Sequence, residues 1–512
     1  MTAFEAAPLF DSVAHWAKVA PGRIALVDGE TRLSYAELAQ AVDLHARAMI
    51  AAGVAPGERV ACLAAPSADF LVSFLAACRV GAIWIGLNPR YRLDELRYVL
   101  ADSTPRLLFA SRTIDGRDYG EELACLGVEF PDLRQLPTDS LADFLAAGEA
   151  IAEAELEARR TTGRQACMIV YTSGSTGAPK GAVLHQAGIS AFSEAQNRLW
   201  PLDPICVLNY FPINHIGSVV DISCPAIVGG GTVVMMPKFD PRASLQLMQQ
   251  ERCTLWVSVP SVFQMQLDLP DFASFDLSAV QLIVWEGAPM AEPLIRRLHA
   301  LHPRLATNYG MTEATSAILA EPPSGDPALL ARSVGFPFEH AEVRLAGPDG
   351  QDAEEGEILL RSPLVMLGYW NRPAETAAAI DPDGWLHTGD IGRRLADGRF
   401  AIAGRIKEMY KSGGYNVYPL EVEAVLQSHP DVQAAAVVAV PDPLWDEVGY
   451  AFVAAEAGLT DAALMDHARK RLANYKLPKR ILLRGELPLL PIGKVDKLSL
   501  RAEARALAAK DK

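Results

Sequence analysis

Residues 166–186 read ACMIVYTSGSTGAPKGAVLHQ. An apolar run with strand character leads into residues 171–181, which hold three glycines, four Ser or Thr hydroxyls, one proline and one lysine, and a second apolar run follows. Glycines let backbone N–H groups converge, the hydroxyls donate, and a lysine adds a compact positive charge. Such a loop between two apolar segments suits an anion. It is not a Walker A loop, because Lys180 is followed by Gly181 rather than Ser or Thr. It lacks G-x-G-x-x-G, and Ser175 lies between Gly174 and Thr176 rather than in a G-x-S-x-G elbow. A phosphate cradle and an ordinary Gly/Ser turn are the readings left.

Outward from the loop, short apolar runs alternate with helix-like segments. Ser34 and Glu37 form a capping-box signature ahead of a helix over 32–52. ERVACLAA, TVVMMP, CTLWVSVP and VQLIVWEG are brief strand patterns beside helical ones, which predicts parallel βαβ units. From about 340 to 402, AEVRLAGPDGQ, GEILLRS and DGRFAIAG alternate with Gly-rich turns and predict antiparallel hairpins. After Arg405 comes a compact section of about 105 residues, the size of a small α+β domain. The expected class is α/β, with an N-terminal domain over 1–404, a C-terminal domain over 405–512 and a short hinge near 404–407.

The chain is 512 residues long, too many for one core. Its formal charge of −15 argues against a nucleic-acid binder, so any anion site must be built locally. Seven scattered cysteines, none in C-x-x-C, suit a reducing cytoplasm better than a disulfide framework or a zinc site. The N-terminus lacks a signal-peptide pattern, and the most apolar run is too short and glycine-broken to span a bilayer.

Four further segments carry chemistry. NYGMTEAT (308–315) sets Tyr309 beside Thr312 and Glu313: a flat ring for a purine, a hydroxyl donor and a hard oxygen ligand for Mg²⁺. GWLHTGD (384–390) ends in Asp390, a carboxylate able to accept both hydroxyls of a ribose. GRIKEMYKSGGYNVYP (404–419) carries Arg405 and the Gly413–Gly414 pair, and LPLLPIGKVDK (487–497) presents Lys494 in a Pro- and Gly-bounded turn. Singly, each is more often core, cap or surface.

In this order, and with the 171–181 loop, they resemble the adenylate-forming superfamily: acyl-CoA synthetases, adenylation domains of peptide synthetases and firefly-type luciferases. The resemblance runs from SYAEL (34–38) to LPLLPIGKVDKLSLR and comes nearest to an acyl-CoA synthetase. It implies a large N-terminal domain of βαβ sheets plus a β-barrel, and a small mobile C-terminal domain. It implies two half-reactions: a carboxylate attacks the α-phosphate of MgATP, giving acyl-AMP and pyrophosphate, and a thiol, usually coenzyme A, then displaces AMP. On that resemblance Thr172, Ser173, Gly174, Ser175, Thr176, Gly177 and Lys180 hold the outgoing phosphates. Thr312 contacts the α-phosphate, with Glu313 on Mg²⁺. Gly287, Ala288, Pro289, Asn308, Tyr309, Gly310 and Met311 frame the adenylate, while Asp390 and Arg405 hold the ribose. Lys494 matches the catalytic lysine, His215 stands beside the acyl group, and Ser412, Gly413, Gly414 and Tyr415 line a pantetheine tunnel after rotation about Lys407.

The acyl pocket is assigned to Asn214, Ser218, Trp285, Glu286, Ala314 and Thr315. Trp285 and Glu286 stand where small residues are common in the family, and Asn214 where an aromatic one is. Together they predict a small to medium acid with a polar or cationic substituent. Coenzyme A is favoured over a carrier protein, since no carrier domain follows in the 18 residues past Lys494. Loading of a separate carrier, a luciferase-like oxygenation, control of Lys494 by acetylation and a homodimer all stay open. A kinase is excluded by its missing loops, and an amidase acting without ATP is separated by ATP–pyrophosphate exchange.

Overall fold

The computed structural model describes residues 7–172, 178–455, 458–489 and 494–510. Two large sheets dominate. The nine-stranded one runs, edge to edge, Phe336–Pro337, Ala317–Ala320, Leu305–Gly310, Leu282–Trp285, Leu255–Ser258, Cys206–Asn209, Thr232–Met235, Ile24–Asp28 and Thr31–Ser34. The seven-stranded one runs Gly368–Tyr369, Lys180–His185, Ala166–Thr172, Ile83–Gly86, Arg59–Leu63, Leu107–Ala110 and Arg134–Pro137. Their central strands pair in parallel. These strands are near-continuous apolar runs because helices cover both faces, leaving no solvated side to alternate with.

One apolar cluster joins the two sheets. Leu26, Val207 and Val284 of one meet Val60, Trp84 and Val170 of the other through the helices Tyr35–Ala51, Ala68–Arg79 and Gln186–Leu199. Trp84 is fully buried and donates its Nε1–H to Ser73 Oγ at 3.2 Å, which satisfies its one polar atom. Burying each large side chain of this kind contributes about 1.5–3 kcal/mol. The first long helix starts as its sequence predicts: Ser34 caps it and Glu37 returns the bond to the Ser34 N–H at 2.8 Å.

The predicted hairpins form a four-stranded antiparallel sheet, Glu342–Ala346, Glu355–Arg361, Leu386–Arg394 and Phe400–Arg405. A Gly335–Phe400 bridge ties this sheet to the nine-stranded sheet's edge. The last section is a separate sheet of Tyr410–Ser412, Tyr415–Val417, Val432–Asp442, Asp446–Ala455 and Arg480–Arg484 with its own apolar clusters. No helix among the described residues is long and apolar enough to cross a membrane.

Candidate active site

The carboxyl end of the parallel strand Leu282–Trp285, the antiparallel sheet and Lys494 converge on one cleft. Asp390 and Arg405 are paired across neighbouring strands, and register alone sets Arg405 Nε 3.1 Å from Asp390 Oδ1. Tyr309 donates its hydroxyl to Asp390 Oδ2 at 2.7 Å. Asp390 is buried, which raises its pKa, and the Arg405 guanidinium counters the rise. A carboxylate fixed between a ring and a guanidinium, with Lys494 close enough to act on its charge, is poised to accept hydroxyl donors.

Lys494 lies within the cleft. A Cβ built on Gly287 would stand 3.2 Å from Lys494 Cε and 3.6 Å from Nζ. Gly287 has φ +76°, a conformation that favours glycine, so this position is small for two independent reasons. Burial and the neighbouring Arg405 lower the Lys494 pKa, and Asp390 opposes them. His215 is held neutral: burial and the Lys494 charge push its pKa down to about 4. Its Nδ1 accepts from the Gly217 N–H at 3.1 Å, which assigns the ring proton to Nε2.

The phosphate side is partly described. Ser173, Gly174, Ser175, Thr176 and Gly177 lie outside the described residues. Thr172 ends one strand and Lys180 starts the next, and the two are paired in register. Lys180 Nζ sits 5.3 Å from the centre of the Tyr369 ring, and Tyr369 donates its hydroxyl to Glu313 Oε1 at 2.8 Å. Sequence reasoning missed Tyr369, which connects the loop lysine to the carboxylate; its segment, GYWN, has no spacing that marks it. Glu313 and Thr312 are buried on a one-turn 3₁₀ helix. Among the described residues no cluster of three or more His, Cys, Asp or Glu could hold a metal. One buried carboxylate suits Mg²⁺ nevertheless, since that ion is commonly held by one or two carboxylates plus phosphate and water. Beside it, Thr315 has φ +73°, strained for a β-branched residue, and donates its hydroxyl to the Leu364 carbonyl. Gly310 admits no side chain, as a Cβ there would lie 2.0 Å from the Ser316 carbonyl oxygen.

The acyl side carries one correction. Trp285 is buried in the core with Cys206, Leu208 and Ile283, while Leu282 and Val284 belong to the cluster on the sheet's other face. Strand alternation turns Trp285 inward and brings the next residue, Glu286, toward the cleft. Trp285 therefore does not line the acyl pocket. Glu286 is half-buried and accepts from Asn308 Nδ2 at 3.0 Å. Its pKa is pushed well up, first by burial and then by the charge of Asp221. Asp221 was not foreseen. It sits on a π-helical segment, Gly217–Ser223, accepts from Ser316 Oγ, and burial raises its pKa to about 6. The wider turn of a π segment re-aims side chains and recurs at functional sites. Ser218, on the same segment, accepts from Asn209 Nδ2 at 3.1 Å. Asn214 Oδ1 is buried with no hydrogen-bond partner among the described residues.

The tunnel residues are not brought to this cleft. Gly413 and Gly414, at φ +58° and +87°, form a two-residue hairpin turn between Ser412 and Tyr415. Gly413 lies against Trp445, in the connection between Val432–Asp442 and Asp446–Ala455, and Tyr415 stacks on Tyr475 with ring centres 4.5 Å apart. Lys407 lies exposed between Arg405 and the last sheet.

Comparison with known proteins agrees with this geometry. Residues 13–370 match the AMP-binding enzyme family, and residues 421–494 match the AMP-binding enzyme C-terminal domain. A feruloyl-CoA synthase of Amycolatopsis is 37% identical over 95% of this chain and 96% of its own length. An indoleacetate–CoA ligase of Aromatoleum aromaticum is 36% identical over 94% and 95%. Among solved structures, ATP-bound MatB from Rhodopseudomonas palustris is 28% identical, covers 97% of this chain and 99% of its own, and superposes with a TM-score of 0.86. A family match over most of the chain, with relatives above 30% identity along nearly its whole length, decides membership: this chain belongs to the AMP-binding enzymes, as an acyl-CoA synthetase of the adenylate-forming superfamily.

Proposed function

We propose that the protein activates a small to medium carboxylic acid bearing a hydrogen-bond donor, then transfers the acyl group to coenzyme A. The observation that carries the reading is Lys494 standing against Gly287 with Asp390 and Arg405 close by. In the first half-reaction the acid's carboxylate attacks the α-phosphorus of ATP, the bond to the β-phosphate breaks, and pyrophosphate leaves. Catalysis here is positioning and charge stabilisation rather than covalent help. Lys494 bridges the attacking carboxylate and the α-phosphate oxygens, with Thr312 on the same phosphate. Lys180 and the 173–177 loop hold the departing phosphates. Glu313 would hold Mg²⁺, which when bound neutralises phosphate charge. Tyr309 and the 287–289 and 308–311 stretches frame the base; Asp390 and Arg405 hold the ribose. In the second half-reaction the thiol attacks the acyl carbon and AMP leaves with the bonding electrons.

Residues 1–404 and 405–512 act as two bodies, with Lys407 as hinge. The present arrangement suits adenylation, with Lys494 inside. Rotation would withdraw it and bring the Gly413–Gly414 turn to the pantetheine arm, a switch of the kind that assembles a site for each step. The named relatives are CoA ligases, which supports coenzyme A over a carrier protein or an oxygenation. Seven free cysteines, six of them buried, suit the cytoplasm.

For the acid, Glu286 and Asp221 replace the argument that Trp285 no longer supports. Two carboxyl groups beside a cleft, each with its pKa raised, favour an acid whose far end donates, such as a hydroxyl, an amide or an ammonium. Pyrophosphate release across a panel of acids, with and without coenzyme A, tests this. Donor-bearing acids should lead, and CoA thioester should accumulate with them. Best turnover on unsubstituted long-chain acids would sink the substrate assignment, and hydrolysis without ATP would sink the reaction.

A further inference from the structure

Away from this cleft, the seven-stranded sheet has a crevice of its own. Its parallel strands lie in the order 83–86, 59–63, 107–110, 134–137. The chain leaves Arg59–Leu63 through the helix Ala68–Arg79 and joins Ile83–Gly86 on one side. It then crosses back to Leu107–Ala110 on the other side through Leu93–Ser103. The first helix packs in the cluster on one face and the second in the cluster on the opposite face. Arg59–Leu63 and Leu107–Ala110 therefore flank a topological switch point, where connections depart to opposite faces and leave a gap at the strands' carboxyl ends.

A cavity of about 180 Å³ occupies that gap, well above the roughly 10–15 Å³ that one water needs. Cys62, Ser111 and Thr138 reach it from the ends of three adjacent strands, and Asp28 reaches it from the other large sheet. None of its lining residues belongs to the catalytic cleft. Phe70 and Phe109 give it an apolar wall, and its polar groups are two carboxylates, one imidazole, four hydroxyls and one thiol. His45 lines it while only 7% exposed. The His45 Nδ1–H donates to the Ala41 carbonyl at 2.8 Å, so Nε2 carries the free lone pair, and Nε2 has no hydrogen-bond partner among the described residues. Burial lowers the pKa of the ring, which keeps it a neutral acceptor. Asp69, at the cavity's exposed edge, makes no hydrogen bond among the described residues, and it lies close enough to His45 for the two to interact electrostatically. No lysine or arginine lines the space.

The helix N-terminus here does not make it an anion site. Asp28 Oδ2 already accepts from the Ala68 N–H at 2.9 Å, and Ser67 Oγ accepts from the Phe70 N–H at 3.3 Å. What the cavity lacks is positive charge.

We propose that this switch-point cavity is a binding site for a small primary ammonium compound with a short apolar body, separate from the adenylation cleft. The ammonium lies among Asp69, Asp28 and His45 Nε2, and the apolar part lies against Phe70 and Phe109. Its three protons match three acceptors, and the rings suit a cation beside them.

The test is calorimetric titration of the full-length protein with benzylamine, with benzyl alcohol as the uncharged comparison, followed by a crystal soak. Saturable benzylamine binding is expected, with benzyl alcohol at least tenfold weaker. Asp69→Asn should weaken benzylamine at least tenfold and keep ligase activity, while Glu286→Gln, in the acyl pocket, should leave the affinity unchanged. Density should place the amine at His45. Absence of saturable binding, equal affinity for the alcohol, an unaffected Asp69→Asn, or loss confined to Glu286→Gln would each overturn the assignment.

Discussion

Gly287 and Lys494 are far apart in sequence and neighbours in the cleft, so together they test how the lysine is positioned. The perturbation is Gly287→Ala, alone and combined with Lys494→Ala. The new methyl would lie 3.2 Å from Lys494 Cε, tighter than most real contacts, while Nζ at 3.6 Å is in ordinary contact. The stem must shift, and a shift of order 1 Å at a reacting group costs up to about 100-fold in rate. The lysine's end is flexible, so part of that is recovered and a loss of about tenfold is expected. A non-glycine residue at φ +76° adds about 1–2 kcal/mol of strain to folding. Lys494→Ala removes a charged donor aimed at developing charge, a loss of about 100- to 1,000-fold. The assay is ATP–pyrophosphate exchange for the first half-reaction and thioester formation from supplied acyl-AMP for the second. Each single variant should slow the first far more than the second. In the Lys494→Ala background the glycine substitution should have little left to remove, because neighbours acting through one group are not additive. Equal slowing by Gly287→Ala in both backgrounds, or in both half-reactions, would show that the glycine acts on nucleotide binding and that the lysine is not held as described.

Three other perturbations follow from single contacts. Tyr369→Phe removes the hydroxyl that Glu313 accepts at 2.8 Å; a hydrogen bond to a charged group is worth about 1.5 kcal/mol, so kcat/KM for MgATP should fall about tenfold and more Mg²⁺ should be needed, and an unchanged Mg²⁺ dependence would count against Glu313 as its holder. Lys497 Nζ lies 2.7 Å from Glu408 and 2.9 Å from Glu423, which is 6% exposed. Lys497→Met should cost about 3–5 kcal/mol by leaving these carboxylates unpaired, read by chemical unfolding, with Lys497→Arg retaining most of the stability. For Asp221, whose pKa rises in the fold from 3.8 to about 6, the ionised form is the costly one. Stability is therefore highest below the unfolded value, falls as pH climbs from about 4 to about 6 and is level above, a loss of about 3 kcal/mol at about 1.4 kcal/mol per unit. Asp221→Asn should flatten this window in pH-dependent melting, and a wild type with no slope there would contradict the burial argument.

What was legible in the sequence, and what was not, divides along a physical line. Strand and helix alternation, the Ser34 cap and the antiparallel stretch after 340 were readable because apolar spacing and capping chemistry are local. Tyr309, Asp390, Arg405 and Lys494, which the fold brings to one cleft, came from segments whose residue types suggested phosphate, ribose and base. Trp285 failed because a residue's type does not say which face of a strand it occupies: the two-residue period around 282–286 could be counted either way until packing settled it. Asp221 and Tyr369 stayed hidden for another reason. Each acts through a partner distant in the chain, Ser316 and Glu313 respectively, and nothing in either segment announces the pairing.

That same distance argues for what the acyl pocket selects. Burying two interacting carboxyl groups is costly unless they are protonated or matched by donors. Ser316 and Asn308 each supply a single bond, to Asp221 and Glu286 respectively. A purely apolar acid would leave the remaining oxygens unmatched as it displaced water from them, and buried polar groups left unpaired are what lets a site reject a near-isostere strongly. An acid carrying a donor meets those oxygens and lets one carboxyl ionise. On the proposed substrate reading, selection at this end of the pocket works more by the penalty on the wrong acid than by attraction of the right one. On that reasoning Glu286→Gln paired with Asp221→Asn should widen the range of acids accepted before it lowers turnover on the best one.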